Sequence, residues 1–303
     1  MINGVINIYK ERGFTSHDVV AKLRGILKQK KIGHTGTLDP EAEGVLPVCL
    51  GMGTKLCDML TDRDKTYEAV LLLGQSTDTQ DVTGTVLERA EVRMPEEEIR
   101  EVISSFAGRY KQVPPMYSAL KVNGKKLCDL AREGKVVERK AREVTIHEIR
   151  ILDIRLPEVY MLVSCSKGTY IRTLCHDIGE KLGCHGCMKE LRRTKVGQFL
   201  EEDSLRLSEI EYLRDEDRLS EVILPVDQVF ADLPSVMLKE EKGKLGYNGN
   251  PFQSEDVRDE KTWSGQVRVY DGLGAFIGIY KYSPNKKQYR PVKMFYEKQR
   301  ETV

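Results

Sequence analysis

Strand-period and helix-period segments follow one another in this chain without regular alternation, and that irregularity constrains the fold most. GVINIY (4–9) reads as a buried strand. SHDVVAKLRGILKQK (16–30) reads as a Ser-capped helix with a stripe of Val19, Val20, Leu23, Ile26 and Leu27. TYEAVLLLG (66–74) and the alternating VTGTVLER (82–89) read as strands around an aspartate-rich loop. PEEEIREVISSFAG (95–108) predicts a helix with Pro and three Glu in its first turn, and GKKLCDLAREG (124–134) a shorter one closed by glycine. REVTIHEIRILDI and VYMLVSCS are strand-like, and YIRTLCHDIGEKLG is a helix ending at Gly183. Doubly wound folds need strict strand–helix alternation, so the expectation is α+β, with a mixed, largely antiparallel sheet flanked by helices.

At 303 residues, one large domain and one small one are expected. The texture changes near residue 200, where an acidic helical segment runs to about 222 and LPVDQVFADLP forms a connector. Short strands between glycine turns follow, suggesting a small β-barrel appendage. The division expected is 1–230 and 231–303.

No apolar run reaches membrane-spanning length, and MINGVINIYKERG lacks the layout of a signal peptide. Seven cysteines, an odd number irregularly spaced, suit a reducing compartment, so a cytoplasmic protein is expected. The net charge of +1 hides an asymmetry. Residues 121–142 hold eight Lys/Arg against three Asp/Glu, and residues 200–222 hold nine acidic side chains against three basic. One basic face on an otherwise acidic protein would give this pattern, and so would ordinary solvated charge runs.

KIGHTGTLDPEAEGVLPVCLG (31–51) packs glycine turns, a lone histidine and three carboxylates ahead of an apolar run. Glycosidase chemistry would need two carboxyls roughly 5–10 Å apart. Nothing in the spacing makes Asp39, Glu41 and Glu43 converge, and Glu41 and Glu43 read as exposed. As a metal site, His34 and Asp39 lack a third ligand. CHGC (184–187) has the CxxC form, with His176 and His185 nearby, but no second pair follows to complete a zinc site. Cys184 and Cys187 are read as packing residues. GVLPVCLGMGTK lacks the Gly-Lys-Ser/Thr of a phosphate loop, and DKTYE lacks the Gly-Thr of a phosphorylated pump motif. By its local sequence alone, Asp39 before Pro40 is also compatible with a simple Asx-turn.

GHTGTLDPEAEGVLPVCLGMGTK resembles the catalytic motif of bacterial tRNA pseudouridine synthases of the TruB type, which modify uridine 55 in the T-loop. Four further stretches match that family in order: NGVINIYKERGFTSHDVV, DKTYEAVLLLGQSTDTQDVTG, PPMYSALKVNGKKLCDLAREG and CSKGTYIRTLCHDIGEKLGCHGCMKELRRTKVG. The tail from 235 resembles the family's PUA-type RNA-binding domain. The resemblance implies a catalytic Asp39, a partner arginine at Arg172 and an active-site tyrosine at Tyr67 that stacks on the uracil. It implies that His34 fills the space a flipped base vacates, that Tyr170 and Leu191 line the uracil pocket, and that Lys10 lies at the substrate. Lys121, Lys125, Lys126, Arg192 and Arg193 are candidate phosphate contacts. Two departures stand out: Tyr9-Lys10-Glu11 replaces an acidic residue followed by Lys-Pro, and Cys128 replaces a tyrosine. The implied reaction breaks the N1–C1′ bond, turns the base and joins C5 to C1′. It gains no atoms, so no cofactor or metal is expected, and the partner is the T stem-loop of tRNA bound by a monomer. Two other readings compete: an RNA-binding protein that assists tRNA folding, and a hydrolase using Asp39 and Glu43 on a sugar without RNA dependence.

Overall fold

The computed structural model describes residues 1–296, so the last seven residues of the expected 231–303 unit lie outside the described residues. A ten-stranded sheet forms the body. Its main path runs Ile223–Leu224, Gly4–Lys10, Glu43–Leu50, Gly186–Val196, Lys65–Leu73, Glu158–Cys165, Arg142–Arg155 and Gly108–Gln112. In it Gly186–Val196 runs parallel to Glu43–Leu50, and the other neighbours on this path are antiparallel. The sheet is therefore mixed and largely antiparallel, as the irregular alternation predicts.

Side-chain alternation decides what each face meets. Tyr67, Ala69, Leu71 and Leu73 share one face of their strand and pack with Ile171, Leu174, Cys175 and Ile178 of the helix Ile171–Lys181. The helix Glu96–Ser104 adds Ile99 and Ile103 to the same core. On the strands Gly4–Lys10 and Glu43–Leu50, Ile6, Ile8, Leu46 and Val48 face the helices Ser16–Ile26 and Leu207–Asp215. Val5, Val45 and Cys49, on the opposite face, join Phe230, Ile279 and Phe295.

Several element bounds differ from expectation. The first helix is capped by Thr15, whose hydroxyl accepts from the Asp18 N–H while the Asp18 carboxylate accepts from the Thr15 N–H at 2.8 Å. Ser16 lies inside the first turn, buried, and the helix ends at Ile26. Val86–Arg89 pairs with Gln75–Thr77 in a small separate ribbon. The expected helix 124–134 begins instead as a hairpin, Lys121–Val122 against Lys125–Lys126, and becomes helical only over Leu127–Arg132. Asn123 and Gly124 both have positive φ, the turn that Asn-Gly favours between short strands. The acidic segment is helical only over Leu207–Asp215.

From Ser235 onward a second sheet of five short strands curls on itself, in the order Ser235–Met237, Gln266–Tyr270, Phe276–Ser283, Gln288–Met294, Phe252–Gln253. It encloses its own core of Val236, Leu238, Phe252, Val267, Val269, Ile277, Tyr280 and Tyr289. No helix among the described residues is long and apolar enough to cross a membrane.

Candidate active site

Residues 35–42 form a loop between the strand Ile32–His34 and the strand Glu43–Leu50, and it is tied down at nearly every step. The Thr35 N–H donates to the Pro47 carbonyl at 3.2 Å. The Leu38 N–H donates to Ser16 Oγ at 2.9 Å, and the Leu38 side chain enters the core beside Ala42, Tyr67 and Leu191. The Gly13 N–H reaches the Pro40 carbonyl at 2.9 Å, and the Ala42 N–H the Asp39 carbonyl at 3.1 Å. Asp39 is thus held between a buried leucine and a fixed proline, a far more constrained setting than a surface Asx-turn.

Its carboxylate meets Arg172 at two points, Nε at 2.9 Å from Oδ2 and Nη2 at 3.2 Å from Oδ1. Such a forked contact fixes orientation as well as charge. Arg172 sits in the first turn of the helix Ile171–Lys181, whose apolar side packs on the face of the sheet that carries Tyr67. Its other N–H groups donate to the Thr79 carbonyl at 3.0 Å and the Tyr117 carbonyl at 2.8 Å, with Asp81 at 3.6 Å. The Arg172 side chain is only 6% exposed, whereas that of Asp39 is 36% exposed, so solvent and ligand meet the carboxylate and not the guanidinium. Burial pushes the Asp39 carboxyl above the ordinary carboxylate range; Arg172 opposes this and Asp81 adds to it.

The structure gathers Tyr67 and Leu191 into one core cluster with Leu38, directly under the loop. Burial raises the pKa of the Tyr67 phenol, and the neighbouring Arg193 guanidinium opposes that rise. Tyr170 forms the N-cap of the arginine helix, its main chain bonded both ways to the Gln112 side chain at 2.8 and 3.0 Å. His34 stands at the loop's start, edge-on to His17 with centroids 5.3 Å apart. Burial first, then the neighbouring His17, depress its pKa.

Two residues stand elsewhere than the sequence suggests. Lys10, expected at the substrate, is completely buried and donates from Nζ to the carbonyls of Glu11 at 3.2 Å, Pro40 at 3.1 Å and Ala42. It clamps the back of the loop, and burial lowers its pKa to about 8, with Asp39 pulling the other way. Arg193, expected on the RNA-facing surface, is 1% exposed. Its guanidinium is committed to the Val45 and Gly36 carbonyls, so it cannot serve as a surface phosphate contact. Arg192, pointing the other way, is half exposed and pairs with Glu68 at 2.6 Å and Glu201 at 3.3 Å. Lys121, Lys125 and Lys126 stand exposed on the hairpin. Glu41 is exposed and Glu43 half-buried, and among the described residues the Asp39 carboxylate bonds Arg172 and neither glutamate.

Sequence reasoning missed Ser16, which pins Leu38, and the turn Thr79–Asp81, which receives Arg172. Thr79 Oγ1 donates to the Asp81 carboxylate at 2.8 Å, and the Thr83 N–H does so at 3.0 Å. The run of Thr and Asp in STDTQDVTG was the available signal, since these side chains build local turns. Cys184 and Cys187 are free and buried, as read. Among the described residues no group of three or more His, Cys, Asp or Glu is arranged to hold a metal ion.

Residues 24–171 match the N-terminal domain of the TruB family of pseudouridylate synthases, and residues 172–231 match the C-terminal domain of tRNA pseudouridylate synthase B. The chain is 57% identical to tRNA pseudouridine synthase B of Lachnoclostridium phytofermentans, over 97% of this chain and 100% of that protein. It is 45% identical to the protein of the same name from Staphylococcus aureus, over 97% and 100%. Among solved structures, a chain of a Cbf5-Nop10-Gar1 complex superposes with a TM-score of 0.74 at 29% identity, covering 97% of this chain and 85% of that one. A chain from an H/ACA ribonucleoprotein bound to a substrate RNA containing 2′-deoxyuridine gives 0.73 at 26%, covering 98% and 86%. With a full-length relative at this identity and both family domains matched in order, the chain belongs to the TruB family of pseudouridine synthases.

Proposed function

We propose that this enzyme acts on tRNA and converts uridine 55 of the T-loop to pseudouridine, with Asp39 as the catalytic carboxylate. One observation carries the assignment of Asp39: a single, partly exposed carboxylate gripped at two points by a buried arginine, on a loop hydrogen-bonded through Thr35, Leu38, Pro40 and Ala42. The relatives named as tRNA pseudouridine synthase B support the choice of tRNA as substrate.

In this reading the T-loop uridine is extruded into the space above Tyr67 and Leu191, and His34 takes the place the base leaves. Tyr170 closes the pocket's other side. The N1–C1′ bond breaks, the uracil turns, the C5–C1′ bond forms, and N1 gains a proton as C5 loses one. Asp39 must be ionised to act on the sugar or the base, and the Arg172 fork favours that form against the burial that opposes it. The exposed lysines of the 121–126 hairpin contribute salt-sensitive phosphate contacts. The five-stranded sheet from Ser235 is read as a PUA-like RNA-binding unit, with the boundary near 230.

The test is tritium release from a tRNA transcript labelled at uridine C5, with wild type and Asp39→Asn side by side. Wild type should release tritium, and should fail on a transcript with cytidine at position 55. Asp39→Asn should bind the transcript and release none. Substantial turnover by Asp39→Asn would remove Asp39 from the chemistry. Release that persists without uridine 55 would move the substrate position.

A further inference from the structure

Arg193 and Tyr67 face each other across adjacent strands: the register pairs Arg193 with Tyr67 and, on the other side of the sheet, Arg192 with Glu68. The two arginines therefore live in different worlds. Arg192 meets carboxylates at the half-exposed face, whereas Arg193 lies inside the protein with no carboxylate within ion-pair distance among the described residues. Burying a guanidinium without an anion is costly unless every N–H finds an acceptor. Here its partners come from three parts of the site. Nε donates to the Val45 carbonyl at 2.7 Å, on the strand leaving the loop. Nη2 reaches the Gly36 carbonyl at 3.5 Å, inside the loop itself. The third is the Tyr67 phenol, set across from the guanidinium by the strand register. The backbone of Arg193 is equally committed, since a Cβ on Gly44 would lie 2.2 Å from its carbonyl oxygen. Lys65 stands beside it with Nζ on the Thr61 and Arg63 carbonyls at 2.7 and 2.6 Å.

We propose that Arg193 is a positioning residue for the isomerisation: its buried fork fixes the Tyr67 phenol oxygen relative to the loop that carries Asp39. It touches neither base nor sugar. Its charge is spent holding two substrate-facing elements, one on a strand and one on a loop, in a single geometry. A guanidinium can do this because its N–H groups diverge in one plane, which an ammonium cannot reproduce. The inference rests on the functional reading above, with Tyr67 as the residue under the uracil.

The experiment is single-turnover pseudouridine formation on the tRNA transcript by wild type, Arg193→Lys, Tyr67→Phe and the double variant, with transcript affinity measured in parallel. Arg193→Lys should lose rate on the order of a hundredfold, the cost of a misplacement near one ångström in an active site. Its affinity for the transcript should remain that of wild type. In the Tyr67→Phe background the same substitution should cost little more, because the oxygen it positions is already gone. Equal losses in both backgrounds would overturn the assignment and leave Arg193 as fold support only. So would a loss confined to affinity. Should the lysine variant fail to fold, Arg193→Met keeps the packed stem without the charge, a replacement buried sites often tolerate, and the same cycle applies. Absence of product from wild type would strike the functional reading instead, and is thereby distinguished from failure of the Arg193 assignment.

Discussion

At the scale of single residues, the site depends on buried cations serving main-chain oxygens. Lys10 shows what this implies for stability. Its pKa is about 8 against an ordinary 10.5, chiefly because burial disfavours the ammonium. Between those two values the unfolded chain holds a proton here that the folded protein has released, so this group makes folding more favourable as pH climbs through that window. Lys10→Met removes the slope. The stability of wild type minus that of Lys10→Met should therefore rise from about pH 8 to 10.5 by up to about 3 kcal/mol, read from urea midpoints at each pH. A difference that stays flat would mean the ammonium titrates as if in water. Asp39 and Arg172 were legible because they sit inside long motif blocks whose order and spacing match a family. The placements of Lys10 and Arg193 were not, since a lysine or arginine in a sequence gives no sign of whether its acceptors are phosphates or its own backbone.

At the scale of elements, the strands and most helices were legible from apolar period, and their ends were not. The 95–108 segment stops being helical at Ser104, and Gly108 opens a strand at the sheet edge, an outcome decided by the neighbouring Arg142–Arg155 strand and not by local propensity. Close approach between elements was equally invisible. The helix that carries Arg172 docks on the start of the strand Gly186–Val196 through Gly179, where a Cβ would fall 2.1 Å from the Gly186 nitrogen and 2.3 Å from the His185 carbonyl carbon. Backbone cannot yield as a flexible side chain does. Gly179→Ala should push the helix off the sheet, lowering stability on the order of 3 kcal/mol through overpacking. The Arg172 fork should leave Asp39 with it, costing rate about a hundredfold. Urea unfolding and single-turnover kinetics on the one variant measure both. Unchanged stability would mean the helix has slack the packing does not reveal, and unchanged rate would uncouple its seat from the arginine.

At the scale of the molecule, the question is whether the five-stranded sheet behaves as an appendage or as part of one cooperative body. It has its own core, which favours independence. It also sends Ile279 and Phe295 into a cluster with Val5, Val45, Cys49, Leu56 and Phe230, which lies against the large sheet. The Phe295 ring stacks on Phe276 with centroids 5.6 Å apart and leans on Phe230 at 6.3 Å. Polar ties reinforce the seam: Lys55 Nζ donates to the Met294 carbonyl at 3.1 Å, and the Tyr270 hydroxyl to Asp227 at 2.8 Å. A shared apolar cluster of this kind couples unfolding of the two sheets, and the sequence offers a clean probe. The single tryptophan, Trp263, is half-buried against the second sheet's core, while most regular structure lies in the first. In wild type, Trp263 fluorescence and far-ultraviolet circular dichroism should report coincident urea transitions. Phe295→Ala removes a ring that is 1% exposed, a change that costs about 3–5 kcal/mol in a packed core. If the loss falls on the seam, the Trp263 transition should move to lower urea ahead of the dichroism transition, because the smaller sheet loses its anchor while the larger keeps its own core. Transitions already separate in wild type would show that the cluster packs the sheets together without making them fold together.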